Sequence, residues 1–220
     1  MTGQTNLSTR NNWIKEQLAS IIPGSSILDA GAGELQWKPY CSHLKYTSQD
    51  LAQYDGRGDG RGLQCQGWNG MRVDIVSDII DIPLPDASFD AVLCSEVLDH
   101  VPAPALALME MDRLLKPGGV MLLTESFCGL TNQSPFFFYT GLSENFYRYY
   151  LRGYKLEIRY NGNYYEWIAQ EIYRLKSWKK IRPEVAEMML EDMASASSTD
   201  RSSHEILCYG LLVKGIKHCT

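Results

Sequence analysis

The stretch that most constrains this chain is Ile27 to Trp37, ILDAGAGELQW, in which a short apolar run ends in Asp29 and passes directly into Gly31-Ala32-Gly33. The pattern reads as a strand, a glycine turn and the opening of a helix, an arrangement that brings backbone amides close to a bound nucleotide. Gly31 and Gly33 carry no Cβ, so the chain can turn sharply there and a ligand can approach the backbone. The dinucleotide pattern GxGxxG is incomplete, because Leu35 and Gln36 stand where it needs its third glycine. The turn is built for a ligand that its own residues do not name.

The rest of the chain supplies alternating strands and helices. Trp13, Ile14, Leu18, Ile21 and Ile22 recur at helical spacing, so Thr9 to Ile22 is expected as a leading helix stopped by Pro23-Gly24. Leu35 to Leu44 is expected as a first crossover helix, interrupted by Pro39. Lys45 to Asp50 reads as a second strand ending in an acid, Met71 to Asp78 as a third and Phe89 to Cys94 as a fourth. Ala105 to Leu115 has helical spacing, with Pro104 near its first turn and Lys116-Pro117-Gly118-Gly119 ending it, and Val120 to Thr124 follows as a buried strand. Such alternation argues for an open, mostly parallel, doubly wound α/β sheet. Ligands of these sheets sit at the carboxyl ends of the strands, which here supply Asp29, Asp50, Asp78, Ser95-Glu96 and Glu125. Asp81, Asp86 and Asp90 read instead as caps or solvated surface charges.

Two segments stand apart. Residues 55–70, DGRGDGRGLQCQGWNG, have no period and read as a long surface or lid loop. Its Arg57-Gly58-Asp59 tripeptide and short RG spacing carry no adhesion or RNA function in this setting, and no Gly-Lys-Ser/Thr closes a phosphate loop. From Phe127 the chain becomes dense in aromatics, with Lys155 to Tyr160 as a strand, Tyr164 to Met193 as helix, Ala194 to Ser203 as a polar interruption and Glu205 to Lys217 as a final strand. Most of these aromatics are expected to fill the core and its rim.

Length and charge bound the remaining possibilities. At 220 residues the chain suits a single domain, residues 1–220, with 55–70 and 127–203 as elaborations. Its net charge of −5 argues against nucleic acid or a membrane as the main partner, though it leaves room for a local basic patch. No secretion signal or apolar run of membrane-spanning length is present, so a cytoplasmic location is expected. The six cysteines include no CxxC, and neither disulfides nor a metal site is expected.

Four motifs together resemble a known family. LDAGAG (28–33), Asp50 at the end of the second strand, SDI followed by IPLPDASFDAVLCSEVLDHV (77–101) and LLKPGGVMLLTESF (114–127) resemble the class I S-adenosylmethionine-dependent methyltransferases of the methyltransferase type 11 group. The resemblance implies a Rossmann-like three-layer α/β/α fold with seven strands in the order 3-2-1-4-5-7-6, the last strand antiparallel. It implies that Gly31, Ala32 and Gly33 wrap the methionine part of S-adenosylmethionine, with Asp29 beneath them. Asp50 would accept both ribose hydroxyls, Leu51 would pack on the adenine, and Asp78 with the Ile79 amide would read its edge. Ser95 and Glu96 would close the floor. Glu34 occupies a position where the family often has glycine.

The implied reaction moves a methyl group to a small-molecule acceptor, at oxygen or nitrogen, with a sugar or secondary metabolite as candidate classes. His100 is the candidate base, with Glu125 and Tyr139 behind it, although a histidine at this position often only supports the loop; the acceptor pocket is expected from residues 127–150, with Phe127, Tyr139 and Phe146 as candidates, together with the leading helix and the glycine-rich loop. The histidine that related sequences often carry near Gln133 is absent. Two rival readings share these motifs: a nicotinamide-dependent oxidoreductase, and a regulatory protein that binds the methyl donor without transferring it.

Overall fold

The computed structural model describes residues 1–65, 67–68 and 72–219. Its seven strands are β1 (Ser26–Ala30), β2 (Lys45–Asp50), β3 (Ile75–Val76), β4 (Phe89–Ser95), β5 (Leu115–Ser126), β6 (Tyr154–Asn161) and β7 (Gly210–Lys217). They form one sheet in the order 3-2-1-4-5-7-6. β3, β2, β1, β4 and β5 run parallel, and β7 is antiparallel to both β5 and β6. The helices are α1 (Asn6–Ala19), α2 (Pro104–Leu114), α3 (Glu144–Tyr150), α4 (Tyr164–Ser177) and α5 (Pro183–Thr199).

Strand alternation builds a core on each face. Ile27, Ala91, Leu93, Leu122 and Leu212 point to one side, where Trp13, Ile14 and Leu18 of α1 cover them with Trp37 and Cys41. Leu28, Val92, Cys94, Met121, Leu123, Leu211 and Val213 point to the other, under Ala107, Leu108, Met111 and Leu114 of α2 and Tyr147 of α3. With both faces buried, the central strands read as continuous apolar runs, as parallel strands do. Pro104 sits in the first turn of α2, where its missing N–H costs no hydrogen bond.

Several local expectations are corrected. The helix expected over Leu35 to Leu44 does not form. Leu35 adopts φ +58°, and only a short 3-10 turn, Lys38–Cys41, follows, with Pro39 at its start. The strand expected from Met71 shrinks to Ile75–Val76, because the Asp74 carboxylate accepts from both the Ser48 amide (2.8 Å) and hydroxyl (2.7 Å), taking the place of a ladder bond. Met71 itself, like Gln66, Asn69 and Gly70 of the long loop, lies outside the described residues. The long helix expected from Tyr164 is two helices, since Pro183 starts α5 and pushes Arg182 to an extended ψ of 136°. Ala194 to Thr199, expected as a flexible interruption, is the last part of α5. Asp90 is no loose surface charge: it accepts from the Ser26 amide (2.8 Å) and from Lys116 Nζ (2.7 Å). No described helix is long and apolar enough to cross a membrane.

Candidate functional site

The glycine turn is held against the ends of two neighbouring strands. The amides of Gly31 and Ala32 both donate to the Gln49 carbonyl, at 2.9 and 2.8 Å, and Gly33 N–H donates to Asp50 Oδ2 at 2.9 Å. Gly31 and Gly33 have φ of +74° and +50°, and a Cβ on Gly31 would lie 2.4 Å from Val97 Cγ2. Glycine is therefore required there by conformation and by space. Because no α-helix follows, the turn presents amides pinned by β2 and not a helix N-terminus.

The strand-end carboxylates divide by environment. Asp29 is 1% exposed and receives the Tyr46 hydroxyl at 2.5 Å. Burial raises its pKa to about 7, with the Tyr46 bond opposing and the Asp50 charge adding. It lies beneath the turn and is not among the residues that line the cavity above it. Asp50 uses one oxygen for Gly33 and the other for the Ala52 amide, at 2.7 Å. Asp78 Oδ1 receives the Ile80 amide at 3.1 Å.

A cavity of about 550 Å³ opens above this edge of the sheet. Gly31, Ala32, Gly33, Asp50, Leu51, Asp78, Ile79, Ser95, Glu96 and His100 all line it. The leading helix and the glycine-rich loop, both expected beside the acceptor, bring side chains that the sequence pattern did not single out. Arg10 comes from α1 and pairs with Glu96 at 2.7 Å, Tyr54 comes from the segment just after β2, and Cys65 and Trp68 come from the glycine-rich loop. No local signal marked Arg10, since one cation in an amphipathic helix looks like any solvated charge. The loop's tryptophan could have been noticed, because a Trp in a polar glycine-rich stretch needs something to pack on. Trp68 packs edge-on to Tyr54 and against Gly33, where an added Cβ would come within 3.0 Å of its ring.

The acceptor-side aromatics are redistributed. Phe136 and Phe138 line the cavity with Gln133, Val101 and Pro102. Phe127 and Phe146, expected there, pack against the main core, and the Tyr139 hydroxyl donates to the Pro102 carbonyl at 3.1 Å. In a dense aromatic run, spacing does not say which ring faces inward.

His100 has one ring nitrogen hydrogen-bonded and the other beside a carboxylate oxygen that has no hydrogen-bond partner. Nδ1 lies 2.9 Å from the Phe136 carbonyl, which can only accept, so Nδ1 carries the proton. Nε2 faces Asp99 Oδ1 at 3.3 Å. Burial raises the Asp99 pKa to about 6, with attraction to His100 opposing and Glu96 adding. The Asp99 amide donates to Glu125 Oε2 at 3.2 Å, and burial holds the Glu125 carboxyl well above the ordinary range, with the Asp99 charge adding. The expected base thus holds its unprotonated Nε2 beside Asp99 at the cavity wall, and Glu125 is a buried support below it.

The glycine-rich loop and the segment before Phe136 are bonded to each other beside the cavity. Leu63 N–H donates to the Thr131 carbonyl at 2.9 Å, Gln133 N–H to the Leu63 carbonyl at 2.8 Å and Asp59 N–H to the Ser134 carbonyl at 2.9 Å. Among the described residues no group of three His, Cys, Asp or Glu side chains is placed to hold a metal ion.

Comparison with known proteins agrees with this geometry. Residues 28–123 match the family model of a methyltransferase domain. Over 106 residues the chain is 34% identical to the ubiquinone biosynthesis O-methyltransferase of Xanthomonas oryzae pv. oryzae, covering 47% of this chain and 44% of that protein. Over 105 residues it is 30% identical to a sterol 24-C-methyltransferase of Gibberella zeae, covering 46% and 27%. The matched region thus spans less than half the length of these curated relatives. In fold it is similar to a SAM-dependent methyltransferase from Archaeoglobus fulgidus (TM-score 0.56, 14% identity, 94% of each chain) and to a (4+2) cyclase, SpnF (TM-score 0.59, 20% identity, 99% of this chain and 85% of that one). Residues 28–123 thus match a methyltransferase domain, and the strand order and glycine turn are similar to those of the class I S-adenosylmethionine-dependent methyltransferases.

Proposed function

We propose that this chain transfers a methyl group from S-adenosylmethionine to a small organic acceptor, at oxygen or nitrogen. One observation carries the reading: a single cavity of about 550 Å³ joins the glycine turn, Asp50, Asp78 and Ile79 at one end to Gln133, Phe136 and Phe138 at the other. That volume lies within the usual range for small-molecule sites, roughly 300–1,000 Å³.

The residues present fit the cofactor. A carboxylate has about four lone-pair sites, and Asp50 spends one on each oxygen for Gly33 and Ala52, leaving capacity on both for the paired hydroxyls of a ribose. No described residue accepts from the Ile79 amide, which is free to meet a ring nitrogen, and Asp78 stands beside it. Leu51, Tyr54 and Trp68 provide apolar surface for an adenine, while Gly31, Ala32, Gly33, Ser95 and Glu96 border the methionine end. When bound, the cofactor supplies a methyl group already activated on a sulfonium. The protein's tasks are alignment and exclusion of water. Phe136 and Phe138 wall the acceptor end, and the clasp between residues 59–63 and 131–134 ties the glycine-rich loop to the segment that carries Gln133 and Phe136.

His100 is best read as a positioning residue that ties the Phe136 backbone to the turn after β4. The relatives do not fix the accepting atom, since one is named an O-methyltransferase and another a C-methyltransferase. A (4+2) cyclase of the same fold makes turnover, and not fold, the deciding measurement. Incubation with S-adenosylmethionine carrying a labelled methyl and a panel of phenols, sugars and amines should label at least one class. That labelling should fall with Asp50→Ala. Tight cofactor binding with no labelled product across the panel would favour a non-transferring protein.

A further inference from the structure

The hairpin made by α4 and α5 carries a surface that the proposed reaction does not use. The two helices share a small core of Ala169, Ile172, Ala186 and Leu190, separate from the cores of the sheet. At the turn between them, Leu175 is 40% exposed and Trp178 49% exposed. Residues 174–182, RLKSWKKIR, hold five cations and no acid, in a chain of net charge −5. Arg174 pairs with Glu171 and Lys176 with Glu187. Lys179, Lys180 and Arg182 are exposed and pair with no described acid, and Glu184, in the first turn of α5, is the acid nearest them in sequence.

The backbone makes this composition costly. Lys180 N–H donates to the Leu175 carbonyl and Lys179 N–H to that of Lys176, the bond pair that ends a helix with a left-handed residue, normally glycine. Here that residue is Lys179, at φ +56°. The position after it, which normally packs an apolar side chain back on the helix, is Lys180, so Leu175 stays uncovered. A helix end that gives up both a glycine and its apolar cap, and exposes Trp beside three cations, breaks local rules where a binding surface would explain it.

We propose that this hairpin tip docks on an anionic phospholipid surface, with Trp178 and Leu175 entering the interface and Lys179, Lys180 and Arg182 meeting the headgroups. Trp is suited to the boundary between headgroups and hydrocarbon, and basic residues beside it respond to anionic lipid. A nucleic acid would satisfy the cations but would leave Leu175 unrewarded, and a five-residue turn offers no groove to follow a phosphate backbone. The contact is peripheral and is independent of methyl transfer.

Sedimentation of the full chain with vesicles of phosphatidylcholine alone, or with about a third phosphatidylglycerol, tests this directly. Binding is expected only to the anionic vesicles and should be lost in high salt. Each cation removed should weaken it about 5-fold, and Trp178→Ala should weaken it further. Lys179→Gly is the decisive variant, because glycine relieves the left-handed strain: its melting temperature should rise while its vesicle binding falls, a pair of changes that structural damage cannot produce. Equal binding to neutral and anionic vesicles, no binding to either, full binding by Lys179→Gly, or tighter binding to single-stranded RNA than to vesicles would each overturn the proposal.

Discussion

Asp29→Asn tests the electrostatics beneath the glycine turn. The Asp29 carboxyl is 1% exposed, and burial moves its pKa from 3.8 to about 7, the Tyr46 hydroxyl opposing and the Asp50 charge adding. An acid whose pKa is higher folded than unfolded binds its proton more tightly in the native state. Stability is therefore full below pH 4, falls as the pH rises toward 7 and levels off above it. The gap between 3.8 and about 7 corresponds to about 4 kcal/mol, of which about 2 to 3 kcal/mol falls between pH 5 and pH 8. Asparagine cannot ionise and still offers an oxygen to Tyr46. Urea unfolding of both proteins should show the variant gaining about 2 to 3 kcal/mol on the wild type between pH 5 and pH 8. Asp99 and Glu125, also raised by burial, are present in both proteins and cancel. A stability difference that does not change with pH would refute the reasoning.

Three further outcomes follow from the geometry. Asp50→Ala removes the acceptor for the Gly33 amide and, on the proposed function, for the two ribose hydroxyls, and should weaken S-adenosylhomocysteine binding roughly 10- to 100-fold by calorimetry. Gly62→Ala places a Cβ 2.3 Å from the Thr131 carbonyl oxygen at φ +66°, so hydrogen exchange at Leu63 and Gln133 should quicken while β4 and β5 amides stay protected; unchanged exchange at the clasp would contradict its role. Leu108→Ala empties a fully buried site under the sheet and should cost about 2 to 5 kcal/mol in chemical denaturation, and a cost below about 1 kcal/mol would show that α2 does not seal that face.

The parts of this fold that were legible from sequence are those governed by local period and by glycine or proline chemistry. β2 spans Lys45–Asp50 as expected, and α2 begins at the proline that marked its first turn. The sheet order came from the family resemblance, since no local pattern specifies which strands pair. Elements that failed were overruled by a single residue's conformation or by a distant partner: Leu35 in a left-handed turn, Pro183 dividing a helix, and Asp74 replacing ladder bonds on β2. The site was legible along the strand ends, where topology brings Asp50, Asp78 and Ser95-Glu96 to one edge. Its other wall was legible only as segments, the leading helix, the glycine-rich loop and residues 127–150, and not as particular side chains. Arg10, Trp68, Phe136 and Phe138 reach the cavity through packing between segments far apart in the chain, and Phe127 and Phe146, of the same composition, go to the core instead.

Calorimetric titration of the full chain with S-adenosylhomocysteine and, separately, with NAD tests the central claim that the glycine turn and the strand-end acids form a site for the methyl donor. Saturable binding of S-adenosylhomocysteine at one site per chain, weakened by Asp50→Ala, with no heat from NAD, is the predicted result. Binding of NAD without binding of S-adenosylhomocysteine would contradict it.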